Sequence, residues 1–262
     1  MLGAAGCATE QGHADHPAPS NTVHESVPLP KSTAANAADQ VFVSRSLGFG
    51  SVNPAPYGIV TAQEQIDIFT KAVQTAQKIE GVLDVAQPDY DAVIQQDGNR
   101  REIHLWLNKN SEHGMYAEVS DTGTGYRLST ESTHDLMKLI LEMPYDSKQA
   151  AANGDLVIAN DQFNNWEVWT RFMKNVNAGT KDDIQIVQYT IEGGPIFDNL
   201  SFDGKTIRHQ FDNTHDAYGS PMKRLEFCKS VKEETTEYGT FYTLAGCGDA
   251  DAPSETFRLP IP

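Results

Sequence analysis

Residues 91–108 read DAVIQQDGNRREIHLWLN, two alternating apolar/polar runs on either side of an Asp-Gly pair. Alternation with a period of two is the mark of a half-buried strand, and Asp-Gly between two such runs marks a hairpin. With the turn at Asp97-Gly98-Asn99-Arg100, Ile94 pairs with Ile103 and Ala92 with Leu105, and one face is wholly apolar. The stretch therefore predicts antiparallel sheet, with strands at Asp91–Gln96 and Glu102–Asn108.

Outward from this hairpin the chain alternates helix and strand signals. Upstream, Val41-Phe42-Val43 is a strand entry. A helix capped near Thr61 runs over Gln63–Ile79, with Ile66, Phe69, Val73 and Ala76 as one stripe and Gly81 to end it. Downstream, Met115–Val119 and Gly125–Leu128 are strands, and Ser132 with Asp135 opens a helix to about Leu141. Pro144 and the polar stretch to Asn153 are expected to be a linker. A second unit follows with a strand at Asp155–Ile158 and a helix at Asp161–Val176, where Phe163, Trp166, Trp169 or Thr170, and Met173 share a face. Strands are predicted at Asp183–Thr190, Ile196–Phe202 and Lys205–Phe211, the last two around Asp203-Gly204. A closing hairpin from about Lys223 to Cys247 turns at Glu237-Tyr238-Gly239.

The resulting fold class is α+β: two small domains, each an antiparallel sheet packed on one or two helices, after a disordered N-terminal tether. The expected boundaries are 1–7 for a signal-peptide remnant, 8–40 for the tether and 41–143 for the first domain. A linker at 144–152, a second domain at 153–250 and a C-terminal tail at 251–262 complete the division. At 262 residues the chain is long enough for two such cores.

The formal net charge of −16 argues against nucleic acid as a partner, since phosphate binding needs clustered Lys and Arg. No run of about 18 apolar residues exists to span a membrane as a helix. Met1-Leu2-Gly3-Ala4-Ala5-Gly6-Cys7 nevertheless looks like the end of a lipoprotein signal peptide, with Cys7 the residue to be lipidated and the charged leader missing. Residues 8–40 carry few large apolar side chains and would form a coil spanning roughly 30 Å. His13, His16 and His24 lie in this polar tail. The partner implied is the membrane, reached through an N-terminal lipid on the outer face of the cytoplasmic membrane. The other two cysteines, Cys228 and Cys247, fall opposite each other in the closing hairpin to within one residue, close enough for a disulfide.

Two resemblances accompany this reading. Residues from about 60 to 142 resemble the YhfM-like domain of lipoproteins of Bacillus and relatives, carried by Ile103-His104-Leu105-Trp106, Tyr126-Arg127-Leu128-Ser129 and the helix near Thr133. Residues from about 153 to 247 resemble the domain of unknown function 4362 of Gram-positive lipoproteins. Here the motifs are Asn153-Gly154-Asp155, Tyr189-Thr190-Ile191-Glu192-Gly193-Gly194-Pro195, Asp212-Asn213 with Asp216, and the cysteine pair. Both resemblances imply location and architecture, and neither lends an activity.

Candidate sites are few. No catalytic residue is assigned and no cofactor is expected, because phosphate-binding glycine loops, zinc cysteine pairings and nucleophile elbows are all missing from the sequence. On the second sheet Asp198 faces His209, half of many acid–base arrangements and equally a buried hydrogen-bonded pair. No metal site is assigned. Asp212, Thr214 and Asp216 are weak ligand candidates, against the alternative of an Asp/Asn turn capping its own backbone. The tail histidines His13, His16 and His24 beside Glu10 and Asp15 are either a weak metal scavenger or simply solvated. Glu192 with its glycines is either a binding loop or a turn. His104 and Trp106 point away from Ile103 and Leu105; if Leu107 pairs with Met115, Trp106 meets Tyr116 in a docking patch, unless another segment covers it. The leading functional expectation is a non-catalytic binding or accessory lipoprotein with an unknown protein or envelope ligand. An envelope hydrolase using Asp198 and His209, or a calcium-dependent module, is the alternative.

Overall fold

A computed structural model describes residues 38–262 apart from 109, 110, 193 and 217. Cys7, the signal-like start and nearly all of the expected tether lie outside the described residues. The chain begins with β1 (Gln40–Arg45), β2 (Gly58–Val60) and α1 (Gln63–Thr75), then β3 (Gln77–Lys78), β4 (Tyr90–Gln96) and β5 (Asn99–Trp106). β6 (Met115–Glu118), β7 (Asp121–Arg127) and α2 (Thr130–Leu141) complete the first unit. Its sheet has seven antiparallel strands in the order β2-β1-β4-β5-β6-β7-β3. Helices α1 and α2 bury Ile66, Phe69, Leu136 and Ile140 against the face that carries Val41, Ala92, Ile103 and Leu105.

The second unit runs through α3 (Ser147–Ala152), β8 (Leu156–Ala159), β9 (Gln162–Asn164), α4 (Trp166–Ala178), β10 (Asp182–Tyr189), β11 (Pro195–Phe202), β12 (Ile207–Asp212) and β13 (Lys223–Cys228). Its six strands lie in the order β13-β12-β11-β10-β8-β9. The pair β8/β10 is parallel, which departs from the all-antiparallel expectation, because α4 intervenes as a crossover between them. A separate three-stranded sheet of β14 (Ser230–Thr236), β15 (Gly239–Ala245) and β16 (Arg258–Pro260) closes the molecule.

Side-chain alternation along its strands explains why the second sheet is covered on both faces. Along β11, Leu200 and Phe202 join Trp169 and Phe172 of α4 and Leu244 and Leu259 of the small sheet in one apolar cluster. The alternate residue Phe197, with Val157 and Val187, belongs instead to the cluster of the first unit. The two units therefore share apolar core through the outer face of the second sheet.

Several expectations are corrected here. The polar stretch at 144–152 holds the helix α3, capped by Asp146, whose side chain accepts from Lys148 and Gln149 N–H. Its Ala150 and the preceding Tyr145 are buried. The expected tail at 251–262 supplies β16, with Phe257 and Leu259 buried, since the small sheet needs a third strand to close its core. α1 ends at Thr75 because residues 77–78 pair with β7, and α4 starts at Trp166 because 162–164 pair with β8. α2 is capped by Ser129, whose Oγ accepts from Ser132 N–H, three residues before the expected cap. The closing hairpin is divided: β13 belongs to the six-stranded sheet and only β14 and β15 pair about the turn.

Candidate functional site

The structure holds two buried imidazole–carboxylate pairs, the expected Asp198–His209 and a second, Asp91–His104, which the expected hairpin register did not bring together. Asp91 and His104 are direct cross-strand partners on β4 and β5, and both are fully buried. His104 Nδ1 lies 2.7 Å from Asp91 Oδ1, while Gly50 N–H donates to Nε2 at 3.2 Å. The backbone donor therefore fixes the tautomer, with the ring proton on Nδ1 given to Asp91. The other Asp91 oxygen accepts Asn53 N–H at 2.8 Å. The segment 46–53 thus straps this face, and Phe49 closes over the rings of His104 and Trp106.

The docking patch expected from His104, Trp106 and Tyr116 does not assemble. Trp106 pairs with Met115 and Leu105 with Tyr116, one residue from the expected register. A slip of one residue moves a side chain to the opposite face. Tyr116 accordingly lies in the core, stacked on Tyr126 at 4.8 Å. Trp106 is half-buried, its Nε1 donating to Ala86 O.

In the second unit Leu200 is opposite His209 and Asp198 opposite Phe211, two residues from the expected register. The faces are unchanged, and Asp198 Oδ1 still reaches His209 Nε2 at 2.7 Å across the diagonal. His209 Nδ1 faces Glu226 Oε2 at 3.4 Å, and Ser254 Oγ donates to that same oxygen at 2.5 Å. Phe257 packs edge-on against the imidazole. Asp198 and His209 are fully buried, so the ring stands between two carboxylates beneath the small sheet. Cys228 and Cys247 form a disulfide, with their Cα atoms 4.0 Å apart.

Among the described residues the Asp212–Asp216 loop forms no group of three His, Cys, Asp or Glu ligand atoms. Asp212 is buried and bonded to Arg45 Nη2 at 3.0 Å and to the backbone and hydroxyl of Thr214. Burial alone would raise its carboxyl, but Arg45, Lys223 and Thr214 outweigh burial and hold it well below the usual carboxylate range. Asp216 turns toward its own loop, accepting Tyr218 N–H. The glycine of the Glu192 turn serves packing: a Cβ on Gly194 would stand 3.0 Å from Asp216 Cα. Glu192 itself is exposed. Among the described residues the one grouping of metal-ligand type is Glu226 with Cys228 and Cys247, whose sulfurs are spent on each other.

What the sequence did not disclose is the polar seam between the units. Arg45, the last residue of β1, crosses to the second sheet and bonds Asn199 at 2.8 Å and Gln185 at 3.3 Å besides Asp212, with its guanidinium 4.0 Å from the Phe197 ring centroid. Beside it, His215 of the second unit is held by two tyrosine hydroxyls of the first, Tyr57 at Nδ1 and Tyr90 at Nε2, each 2.9 Å away. Burial raises the pKa of both phenols, so they remain neutral bonding partners. Tyr57 stacks on Tyr145, whose hydroxyl donates to Asp155 at 2.6 Å. Burial pushes the Asp155 carboxyl up to about 6 despite the bonds from Tyr145 and Gln185. Its one trace in the sequence is a charged residue, Arg45, placed directly after Val41-Phe42-Val43-Ser44.

At the open end of the seam is a cavity of about 260 Å³. Tyr90 opens β4, with Asp89 just before it and Leu107 just after β5; Met137, Ile140 and Leu141 come from α2, and Lys223 from the start of β13. Lys223 pairs with Asp89 across the mouth.

Fold and site together define a two-unit α+β protein with closed histidine–carboxylate pairs and an open recess between its units. Residues 53–143 match the family model described as YhfM protein, and residues 153–243 match the domain of unknown function (DUF4362). The chain is thus similar to these two families in that order, each over well under half its length. No curated protein and no solved structure matches it. Among the described residues no helix is long and apolar enough to cross a membrane.

Proposed function

We propose that this chain is a lipid-anchored protein on the outer face of the cytoplasmic membrane, and that it binds its target without transforming it, through the cleft between its units. The observation that carries the binding reading is a contrast in access. Both histidine–carboxylate pairs are fully buried and their ring nitrogens already face partners. The cleft, by contrast, brings apolar and charged groups of both units to a shared opening. No observation favours a hydrolase at Asp198 and His209 or a calcium module at Asp212.

The location rests on two supports. A Cys228–Cys247 disulfide suits an oxidising compartment. Ala4-Ala5-Gly6-Cys7 followed by a polar stretch supplies an anchor and a tether. In cells, Cys7→Ala is expected to shift the protein from the membrane to the soluble fraction and to remove an acyl mass from its N-terminal peptide. Membrane retention of the alanine variant would sink the anchor.

A further inference from the structure

We propose that the inter-unit cavity takes a small zwitterion with an aliphatic side chain, of the free α-amino acid class. This rests on the reading of the cleft as the binding surface and deepens it. Size comes first. At about 260 Å³ the cavity falls just below the range of about 300–1,000 Å³ typical of drug-sized ligands, so its occupant is a compact molecule.

The walls set the chemistry. Leu107, Met137, Ile140 and Leu141 line one side and accept an alkyl group. At the mouth stand one anion and one cation from different units, Asp89 and Lys223, bonded to each other. Asp89 Oδ2 is held by Leu107 N–H at 2.8 Å, so the carboxylate is fixed in place. Lys223 Nζ lies 3.9 Å from Asp212 and 5.8 Å from the Tyr90 ring centroid.

A ligand carrying only a carboxylate would draw Lys223 off Asp89 and leave Asp89 with the Leu107 N–H. One carrying only an ammonium would displace Lys223 from Asp89 toward Asp212 and solvent, so either breaks the ion pair without replacing both halves of it. A zwitterion avoids that conflict. Its ammonium lies beside Asp89 and its carboxylate beside Lys223, so the two ion pairs run side by side and every charge stays compensated. Discrimination against amines and acids of the same shape then follows from the half of the Asp89–Lys223 pair that each would break without replacing.

The test uses three probes with one alkyl group: L-leucine, isoamylamine, which lacks its carboxylate, and isocaproate, which lacks its ammonium. Binding is followed by calorimetry and by the NMR signal of the Met137 ε-methyl group in the full chain. Leucine is expected to move that signal and to bind at least tenfold more tightly than either analogue. Lys223→Met should reduce leucine to the level of isoamylamine, and Met137→Trp, which fills the cavity, should abolish binding of all three. An analogue that binds as tightly as leucine would overturn the zwitterion while leaving the cleft as the binding surface. Failure of all three to move the Met137 signal would overturn the zwitterion and the cleft together.

Discussion

Arg45 ends an apolar strand and enters the other unit with its charge already matched. Its guanidinium has Asp212 at 3.0 Å, Asn199 at 2.8 Å and the Phe197 ring beneath it, with little solvent access. Removing one member of a buried pair strands the other, at a cost of about 3–5 kcal/mol. Arg45→Met is therefore expected to lose about that much in urea unfolding. Arg45→Lys should recover little, because a point charge cannot reach Asn199 and Asp212 at once. A loss below about 1 kcal/mol would show that Lys223 and Thr214 suffice for Asp212. At His209 the corresponding change is Asp198→Ala, which removes the closer of two carboxylates facing a fully buried ring. It should destabilise the fold by about 2 kcal/mol, and unchanged melting would refute a structural role for the pair. Asp198 and His209 were legible in the sequence because they lie on adjacent strands around a short turn. Arg45, Tyr57, Tyr90 and His215 were not, because their meeting depends on how two sheets pack, which no local pattern encodes.

At the scale of elements, the two Asp-Gly hairpins behave differently. At Asp97-Gly98 both residues have positive φ, 52° and 74°, and the strands close over two residues, with Gln96 opposite Asn99. That is the geometry of a type I′ turn, whose twist matches the strands. At Asp203-Gly204 only the glycine has positive φ. Asp203 Oδ1 instead accepts Lys205 and Thr206 N–H, so the loop widens to span 203–206. The sequence reading assigned the wide turn to the first hairpin and the tight turn to the second. Each register moved by two residues, which leaves every side chain on its expected face. The core faces were thus legible while the pairings were not. At Trp106 the shift was one residue, and there the proposed patch was lost. Gly98→Ala should destabilise by about 1 kcal/mol, as a Cβ strains the left-handed backbone, measurable by thermal melting. The disulfide joins the end of β13, in the six-stranded sheet, to Cys247 two residues beyond β15 of the small sheet, across a separation of 19 residues. Replacing both cysteines by serine is expected to cost about 3 kcal/mol. The native chain should show no reactive thiol at either position before reduction, and labelling at Cys228 or Cys247 would contradict the pairing.

Across the whole molecule, stability should depend on pH through two carboxyls of the seam acting in opposite directions. Burial raises the folded pKa of Asp155 to about 6 from an ordinary 3.8. Its protonated form is favoured by folding, so its contribution is complete below about pH 4 and is lost as pH rises through about 6, up to about 3 kcal/mol. Asp212 has its folded pKa depressed. Its contribution is present above the unfolded value and falls away as acid titrates the folded carboxyl. Urea midpoints measured from pH 3 to 8 should therefore decline between pH 4 and 6 in the native chain. Asp155→Asn should flatten that decline while keeping the acid limb; an unchanged slope in the variant would place the titration elsewhere.

The family matches stop at residue 143 and resume at 153, inviting anyone who wants half of this protein to cut there. The shared cluster makes that cut costly. It would bare Phe197, Val187 and Val157 on one fragment and the Tyr57 side of the seam on the other, and Gln149 of α3 and Asn153 at its C-terminal cap would lose their holds on Tyr57 O and Pro56 O. Fragments made at this boundary would be sticky, and mixed together they should find each other again. The same scission point is thus a poor place to make a domain and a good place to build a split reporter.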